Sequence, residues 1–382
     1  MIVAGLLATL LAGEVAAWTA GLRYETRTRT GAPGQPVSAL PLEVTLDPSV
    51  GLLATVDTFK GSVEYQPHIG VQEADNRQQA TVLHRLAMTG ELREDLRTRL
   101  RFEERFSLGT NVFTPLASAA TGPPDPRVPQ QAFVATYLQQ AGDLRLDHLS
   151  SPGTRMGASV GYLADGGVDA ASRGRIPLLQ GPRAGAFASI TPSRQDTMAA
   201  GVDVAFAAST GGHQTVIADA TGNLQHVFDR LLRGGLTLGV GAAAGDASSA
   251  QVLPIAALIV EGAVPLKGQG LSGSFRFSAQ PSPDRYTGGA YERAELAVAG
   301  DFRPTAALGF GARASGGAVV SGAARGQSLG QVELSSTLTA ARGVGFTVGS
   351  RLAWAQSSVA GQPGGTVWAA FAVAQLATTG AF

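Results

Sequence analysis

The chain has 382 residues, of which 44% are hydrophobic and 15% charged, with 29 basic and 29 acidic side chains. Ordinary soluble domains carry about 25% charged residues, so this surface is short of ions, and the missing basic excess argues against a nucleic-acid partner. The absence of cysteine excludes disulfides, thiolate metal sites and cysteine catalysis.

The first 17 residues are apolar and end in small side chains, which predicts a signal peptide over residues 1–17 with Val15 and Ala17 at its cleavage site. The segment is shorter than the ~20 apolar residues that a spanning helix needs. It also lacks the usual Lys or Arg at its start, so a first strand or a buried helix is the alternative. Residues 18–382 then form one domain, because no linker and no fixed-period repeat divides them.

Period-two alternation of apolar and polar residues begins directly afterwards and predicts β-strands. In the segment Trp18–Thr30, one face carries Trp18, Ala20, Leu22 and Tyr24, and the other carries Arg23, Glu25, Arg27 and Arg29. After a turn-forming cluster at residues 31–36, strands are predicted over Val50–Thr58 and Ser62–Val71, with Pro67 as an awkward position because it cannot donate to a ladder.

The most charged stretch is Thr81–Leu108. From Leu96 to Leu108 it alternates as a strand, with Glu104 out of place on the apolar face. The polar face of this strand carries Arg97, Arg99, Arg101, Glu103 and Arg105. A helix is the alternative, since leucines recur at spacing four, but the alternation runs longer than that series and the flanking segments also alternate.

Five prolines without a period predict a long loop or lid over Thr110–Gln131. Hairpin-like units follow from Phe133, with glycine turns expected at residues 165–167 and 210–212, and one strand expected over residues 301–313. The polar faces of these later strands carry Arg276, Arg303, Arg313 and Arg351.

A sheet that is apolar on one face and polar on the other meets two different solvents. The prediction is an all-β fold, a single antiparallel transmembrane β-barrel of about 16–18 strands, because membrane strands need ~9–11 residues each. A barrel of that width leaves an aqueous lumen unless it is plugged.

Arginine near the membrane midplane costs ~2–4 kcal/mol on the lipid face, so the charged faces should meet water inside the barrel. The predicted pore-lining residues are Arg23, Glu25, Arg27, Arg29, Arg97, Arg99, Arg101, Glu103, Arg105, Arg276, Arg303, Arg313 and Arg351. Interleaved acids predict cross-strand pairs that brace the wall. Rings of arginine also draw anions, as in anion-selective pores, and the two interpretations are compatible.

The chain resembles Gram-negative outer-membrane β-barrels of the porin-like class. The resemblance depends on the segment 1–17, on the alternation over 18–382 and on the terminal Phe382, with Leu376 and Trp368 on its face. It implies an outer-membrane location, contact with outer-membrane lipid, and recognition of the last strand by the barrel-assembly machinery.

A second, shorter likeness concerns the residues between Tyr65 and Phe106. The series Tyr65-Gln66-Pro67, then Leu83-His84, then the arginine-rich strand, is similar to barrels that accompany polysaccharide-export systems. This likeness implies periplasmic polysaccharide-export proteins as partners.

The sequence predicts no catalytic residue, cofactor or metal. Gly157–Gly161 spells G-x-S-x-G, but Ser159 lies within an alternating strand rather than on the strand–turn–helix elbow that the motif needs. The series Gly239–Gly245 lacks the spacing of a dinucleotide loop. The five histidines are scattered without metal-ligand spacing: His68, His84, His148, His213 and His226.

These observations predict a non-enzymatic pore for hydrophilic solutes, anionic ones included, that serves as a conduit in polysaccharide export. The alternative is a plugged, non-conducting barrel that anchors a partner or shapes the cell surface, with Thr110–Gln131 folded into the lumen.

Overall fold

The protein is described from a computed structural model over residues 15–29, 42–56, 58–74, 77–113, 133–246, 248–266, 269–322, 325–356 and 365–381. Most of the predicted signal peptide and the terminal Phe382 lie outside these residues, so both stay predictions. Residues 15–17 begin the first strand. No helix in the described part of the chain is long and apolar enough to cross a membrane.

Nineteen strand segments and one short helix make up the described structure. They are β1 (Val15–Arg29), β2 (Leu42–Val56), β3 (Phe59–Tyr65), β4 (His68–Ala74), β5 (Arg77–Arg93), β6 (Thr98–Phe113), β7 (Phe133–Ser151), β8 (Thr154–Gly167), α1 (Ala170–Arg175), β9 (Leu179–Ile190), β10 (Asp196–Ser209), β11 (Gln214–Val227), β12 (Leu232–Gly245), β13 (Ser248–Leu266), β14 (Gln269–Pro283), β15 (Ala290–Arg303), β16 (Leu308–Val319), β17 (Ser328–Ala341), β18 (Val344–Gln356) and β19 (Gly365–Ala381).

The sheet closes on itself. Each strand pairs antiparallel with its neighbours along the chain, and β19 pairs with β1, where Leu22 lies opposite Leu376. Segments β3 and β4 both pair with β2 and β5 in one unbroken register, so they are two parts of one strand interrupted at Pro67. The described residues therefore form a closed barrel of 18 strands, which confirms the predicted all-β barrel at the upper end of its range.

The two faces of the barrel differ as the alternation predicts. On β18, Phe346, Val348 and Trp354 point outward with 41% to 58% of their surface exposed, while Arg351 points inward and is buried. The apolar outer face fits the hydrocarbon of a bilayer, and the inner face collects the ions.

The two ends of the barrel also differ. Connections on the side of the chain termini contain two to five residues, whereas β6 and β7 are joined at the other end by residues 114–132. Outer-membrane barrels have short periplasmic turns and longer extracellular loops. We call the two sides the short-turn end and the long-loop end.

The arginine-rich segment is a strand, and the helix alternative is wrong, but the strand begins two residues later than predicted. Leu96 and Arg97 lie in a turn at the short-turn end, where Leu96 is 97% exposed. The turn forms because the Asp95 carboxylate accepts the backbone N–H groups of Arg97 and Thr98, at 2.6 and 2.5 Å. These hydrogen bonds also lower the pKa of Asp95.

Three other predicted boundaries are wrong. Strand β6 continues to Phe113, which pairs with Phe133, so the long loop begins at residue 114; residues 114–131 lie outside the described part. Residues 165–167 end strand β8 instead of forming a hairpin turn. The single strand over 301–313 is two strands joined by a turn at 304–307, since Pro304 cannot donate to a ladder.

Glu104 does lie on the outer face, as its position in the alternation indicates. The amide nitrogen of Gln140 on β7 donates to its Oε1 at 2.9 Å. Gly142, opposite Glu104 on β7, leaves room for the carboxylate, because a Cβ there would overlap the carboxylate oxygen. A glycine and an amide on the neighbouring strand thus accommodate the exception.

Candidate functional site

The barrel register decides where each predicted site residue lies. Inner-face positions are taken by Arg23, Glu25, Arg27, Arg99, Arg101, Glu103, Arg105, Arg276, Arg303, Arg313 and Arg351. Arg97 lies instead in the exposed turn at the short-turn end. Arg29 ends β1, and its side chain lies outside the described residues.

The acids on β2 that pair with the β1 arginines were missed by the sequence analysis. Glu43 lies on β2 opposite Arg27, accepts its Nε–H, and is only 1% exposed. The same guanidinium donates to the side-chain oxygen of Gln72 on β4 at 2.9 Å. The alternation of Glu43, Thr45 and Asp47 could have revealed this strand, but β2 was predicted to start only at Val50.

Asp47 on β2 holds a second cluster together. Its carboxylate lies 3.2 Å from Arg23 Nη1, 2.5 Å from His68 Nδ1 and 4.0 Å from Arg85 Nη1. Arg23 also pairs with Glu25 at 2.5 Å on its own strand. These contacts tie β1, β2, β4 and β5 together, which is the bracing that interleaved charges predict.

A third cluster lies on β5, β6 and β7. Arg101 and Arg145 lie directly opposite one another, with the buried Asp147 2.9 Å from Arg145 Nε and 3.7 Å from Arg101 Nε. Glu91 lies 3.5 Å from Arg101 on the other side.

Exposure separates braced arginines from available ones. Arg351 donates through Nε and Nη2 to Glu333, at 2.9 and 2.6 Å, and only 3% of its side chain is exposed. Arg105, paired with Glu103 at 2.7 Å, is 73% exposed. Arg99 and Arg303 have no ion-pair partner within 4 Å in the part of the chain that the structure describes.

Several recesses open from the inner face, and two of them include predicted pore-lining residues. The larger has a volume of about 680 Å³ and is lined by Lys60, Glu91, Arg101, Glu103, Arg105, Asp143, Arg145 and Arg183 among others. The smaller, of about 420 Å³, is lined by Arg23, Asp301, Arg303, Arg313, Glu333 and Arg351 among others. Cations outnumber carboxylates in both linings, by five to three and by four to two. In a third recess, near the short-turn end of β12–β15, carboxylates outnumber cations by three to two.

At the long-loop end, helix α1 turns into the barrel. The carboxylate of Asp169 caps the helix by accepting the backbone N–H of Ser172 at 2.8 Å, and this hydrogen bond, with others from Thr136 and Ser172, lowers the pKa of Asp169 to about 2. Ile176, only 1% exposed, packs against the inward-facing Phe133 and Ala135 of β7. The helix therefore lies against the inner wall.

The connection between β14 and β15, residues 284–289, also folds inward, and we call it the mouth loop. Arg285 forms an ion pair with Asp165 of β8, and its backbone oxygen accepts from Ser209 of β10 at 2.7 Å. Tyr286 donates its hydroxyl to the backbone oxygen of Arg175 in α1 at 3.1 Å. The mouth loop thus reaches from β14 across the inner face to β8.

Small and apolar inner-face residues make room for the mouth loop. Gly245 lies so close to the Gly288 oxygen that a Cβ there would overlap it, and Gly288 has a φ of +68°, which favours glycine. Ile217 and Leu253 pack with Ala290 in one buried cluster just beyond the loop. No local pattern in the sequence predicts this loop, since its contacts join strands far apart in the chain.

The other sequence motifs, at Ser159 and Gly239, and the five histidines all occupy ordinary structural positions. Ser159 and Gly239 lie on the inner faces of β8 and β12, within strands. Each histidine has a polar neighbour: His68 has Asp47, His84 has Tyr65 at 2.7 Å, His148 has Thr98 at 3.1 Å, His213 has Asp246 at 3.9 Å and His226 has Asp196 at 2.6 Å. Among the described residues no group of three His, Asp or Glu could hold a metal ion.

Comparison with solved structures identifies the fold. Acinetobacter baumannii OccAB4 shares 10% identity over 96% of this chain and 99% of its own, with a TM-score of 0.52. The FrpB iron transporter of Neisseria meningitidis shares 11% over 93% and 66%, with a TM-score of 0.50. Pseudomonas aeruginosa OpdO shares 13% over 96% and 98%, with a TM-score of 0.47.

The architecture and the apolar outer wall place the protein in the outer membrane of a Gram-negative bacterium. No curated protein sequence matches the chain. A family model does match it, over residues 11–381, which is nearly its whole length. The chain belongs to the EpsX exopolysaccharide export family.

Proposed function

We propose that this barrel is the conduit through which a hydrophilic polysaccharide crosses the outer membrane. The observation that carries the proposal is a closed 18-strand barrel whose inner wall is polar and braced by ion pairs. Barrels of 16–18 strands are wide enough to enclose water. Membership of the EpsX exopolysaccharide export family supports an exopolysaccharide as the molecule that passes through the barrel.

A hydrated sugar chain needs a wall that can replace water at its hydroxyl groups. Inner-face hydroxyls that can donate and accept are contributed by Ser272, Ser274, Ser278, Ser315, Ser335, Thr337 and Thr347. These hydroxyl residues alternate with the apolar residues that face lipid, so each strand presents one face to the aqueous lumen and the other to the bilayer.

The charge of the two recesses that include predicted pore-lining residues favours anions. Both recesses carry two more cations than carboxylates, and a cationic lining raises the local concentration of negative solutes. The predicted pore-lining residues would act together in this way, with Arg99 and Arg303 contributing charge that no acid within ion-pair distance offsets among the described residues.

The plugged barrel is the second candidate, because α1 and the mouth loop narrow the long-loop end. In that case the protein anchors partners and conducts nothing. Residues 114–131, the predicted plug, lie outside the described structure. Replacing Arg285 with Ala removes the ion pair to Asp165, so a barrel closed by the mouth loop would begin to conduct, whereas an open one would change little.

Partners follow from the two ends of the barrel. We expect periplasmic export proteins to dock at the short-turn end, and the barrel-assembly machinery to recognise β19, whose Trp368 and Leu376 face outward. The proposal needs neither a cofactor nor a catalytic residue.

Single-channel recording in planar bilayers tests the conduit. We expect the purified protein to conduct with anion preference, and the double variant Arg99→Ser, Arg101→Ser to shift the reversal potential toward cation preference. Arg97→Ser is the control, since it removes one arginine from the exposed turn outside the wall and should leave the reversal potential nearly unchanged. Absence of conductance in the wild type and in Arg285→Ala would contradict the proposal and favour the anchoring role.

A further inference from the structure

We propose that the larger recess is a binding site for carboxylate groups on the exported sugar chain, formed by Arg145 and Arg183 with Arg105 and Lys60. The proposal rests on the conduit function and names its substrate class, a polymer that contains uronic-acid-type units. The site lies on the inner face of β3 and β5 through β9.

The register brings these cations into adjacent rows. One row across the sheet runs from Lys60 through Glu91 to Arg101, Arg145 and Ser159. The next two rows toward the long-loop end contain Arg183 and Arg105. Neighbouring strands lie ~4.8 Å apart, so a single oligosaccharide can touch several of these side chains.

The cations repel one another in the empty site. Arg101 and Arg145 lie directly opposite on β6 and β7, an arrangement that is destabilising for like charges. Asp147 and Glu91 compensate them, yet Arg101 Nε remains buried without a hydrogen-bond acceptor among the described residues. An anion bound in the recess would relieve the repulsion between the two guanidinium groups.

Arg145 is held in position before any ligand arrives. Its Nε donates to Asp147 at 2.9 Å, and its guanidinium lies 4.0 Å from the centre of the Phe187 ring. Gly157 lets that ring lie against β8, since a Cβ there would come within 2.5 Å of it. The terminal nitrogens of Arg145 donate no hydrogen bond within the described part of the chain, so they can bind a carboxylate through two parallel hydrogen bonds.

Arg183 and Lys60 complete the cationic surface. Arg183 uses Nη2 for Asp143 at 2.9 Å and remains 52% exposed. Gly161 leaves space for its side chain, because a Cβ at that position would lie 2.8 Å from Arg183 Nε. Lys60 is exposed and has no ion-pair partner within the described residues.

Arg351 shows what a purely structural arginine looks like in the same setting. It too lies over an inward phenylalanine, Phe371 at 5.0 Å, whose ring approaches Gly349. Glu333 occupies its donors, however, and its side chain is 3% exposed against 43% for Arg145. The same arrangement of an arginine over a phenylalanine ring is therefore buried in an ion pair at Arg351 and exposed to the lumen at Arg145.

The volume of the recess, about 680 Å³, lies within the range of about 300–1,000 Å³ that is usual for ligand pockets. A carboxylate matches the planar fork of arginine. Sulfate and phosphate esters share the negative charge but are tetrahedral. The affinity for sulfated oligomers is therefore compared with the affinity for carboxylated ones in the experiment.

Isothermal titration of the detergent-purified, full-length barrel with galacturonate oligomers measures the site without requiring conductance. We expect Arg145→Gln with Arg183→Gln to weaken binding at least tenfold. Arg276→Gln removes an exposed inner-face arginine on β14 that does not line this recess, so it is the control and should bind as the wild type does. Uncharged glucose oligomers should not bind.

A second variant tests the positioning of Arg145 without changing charge. Phe187→Leu removes the ring beneath the guanidinium, and we expect several-fold weaker binding of galacturonate. Equal affinity in the wild type and the double arginine variant, or tighter binding of sulfated than of carboxylated oligomers, would overturn the proposal. A barrel that binds galacturonate but never conducts would contradict the conduit alone.

Discussion

The inner wall of β1–β7 and the inner wall of β10–β12 have the same alternation but different contents. The first, which we call the charged wall, is crowded with arginines and carboxylates that contact one another across strands. The second, the small-residue wall, carries mainly Gly, Ala, Thr and amides, with Asp203 and Asp219 opposite one another. Alternation determines which face of the sheet a residue lies on. The residues on the neighbouring strands determine whether it forms an ion pair there or packs against other residues.

The difference has a structural reason. Where nothing else fills the inner face, opposite charges on adjacent strands hold the wall and leave a surplus of cations. Where the mouth loop must lie against the wall, glycine and alanine give it space, as Gly245 and Ala243 do beneath Gly288 and Ala290.

The largest effect is expected within the charged wall itself. Glu43→Ala removes the buried partner of Arg27 and should lower the free energy of unfolding by about 3–5 kcal/mol, because a buried guanidinium loses its compensating charge. Urea titration of the barrel in lipid vesicles measures it. Glu103→Ala is the matched control: its ion pair with Arg105 is solvent-exposed, so its loss should cost about 0–1 kcal/mol. Equal costs would show that burial does not separate braces from exposed pairs.

The next effect concerns the small-residue wall. Gly245→Ala places a methyl group against the Gly288 oxygen and should displace the mouth loop, at a cost of about 1–3 kcal/mol. Higher single-channel conductance and new protease cleavage at residues 284–289 would report the displacement. Gly235→Ala is the control. A Cβ at position 235 would have only a side-chain carbon and a backbone oxygen near it, each at 3.8 Å, so neither the conductance nor the cleavage should change. If Gly245→Ala changed neither the conductance nor the cleavage, a glycine at position 245 would not be required for the mouth loop to pack against the wall.

A smaller effect is expected from the acidic pair. Asp203→Asn removes a like charge directly opposite Asp219, so it should stabilise the barrel by about 0.2–1 kcal/mol and increase anion preference slightly. The same urea titration and the reversal potential measure the two changes. Destabilisation would indicate that the pair is held by contacts beyond simple repulsion.

The smallest effect is on α1. Asp169 has a pKa lowered to about 2 in the folded protein, so its capping contribution is present above its usual pKa of about 3.9 and is lost as the pH falls through about 2. Pepsin cleavage within residues 168–178 should increase between pH 4 and pH 2. In Asp169→Asn that increase should be much smaller, and an equal increase would exclude the cap as its cause.

Much of the fold could be predicted from local pattern. The outward residues of β18 and the inward residues of β1 follow from alternation, and the strand number follows from length. Turns that depend on one side chain, such as Asp95 at the start of β6, were missed because the alternation continues through them. The Asp47 cluster and the mouth loop join strands distant in the chain, and no local pattern reports such contacts.

The central claim is that the charged face of the strands meets water inside the barrel while the opposite face meets lipid. Because the chain has no cysteine, single cysteines can be placed along β6 and labelled in intact membranes with a water-soluble thiol reagent. We expect alternating reactivity, with labelling at positions 99, 101, 103 and 105 and protection at 100, 102 and 106. Uniform labelling, or a period near 3.6, would contradict it.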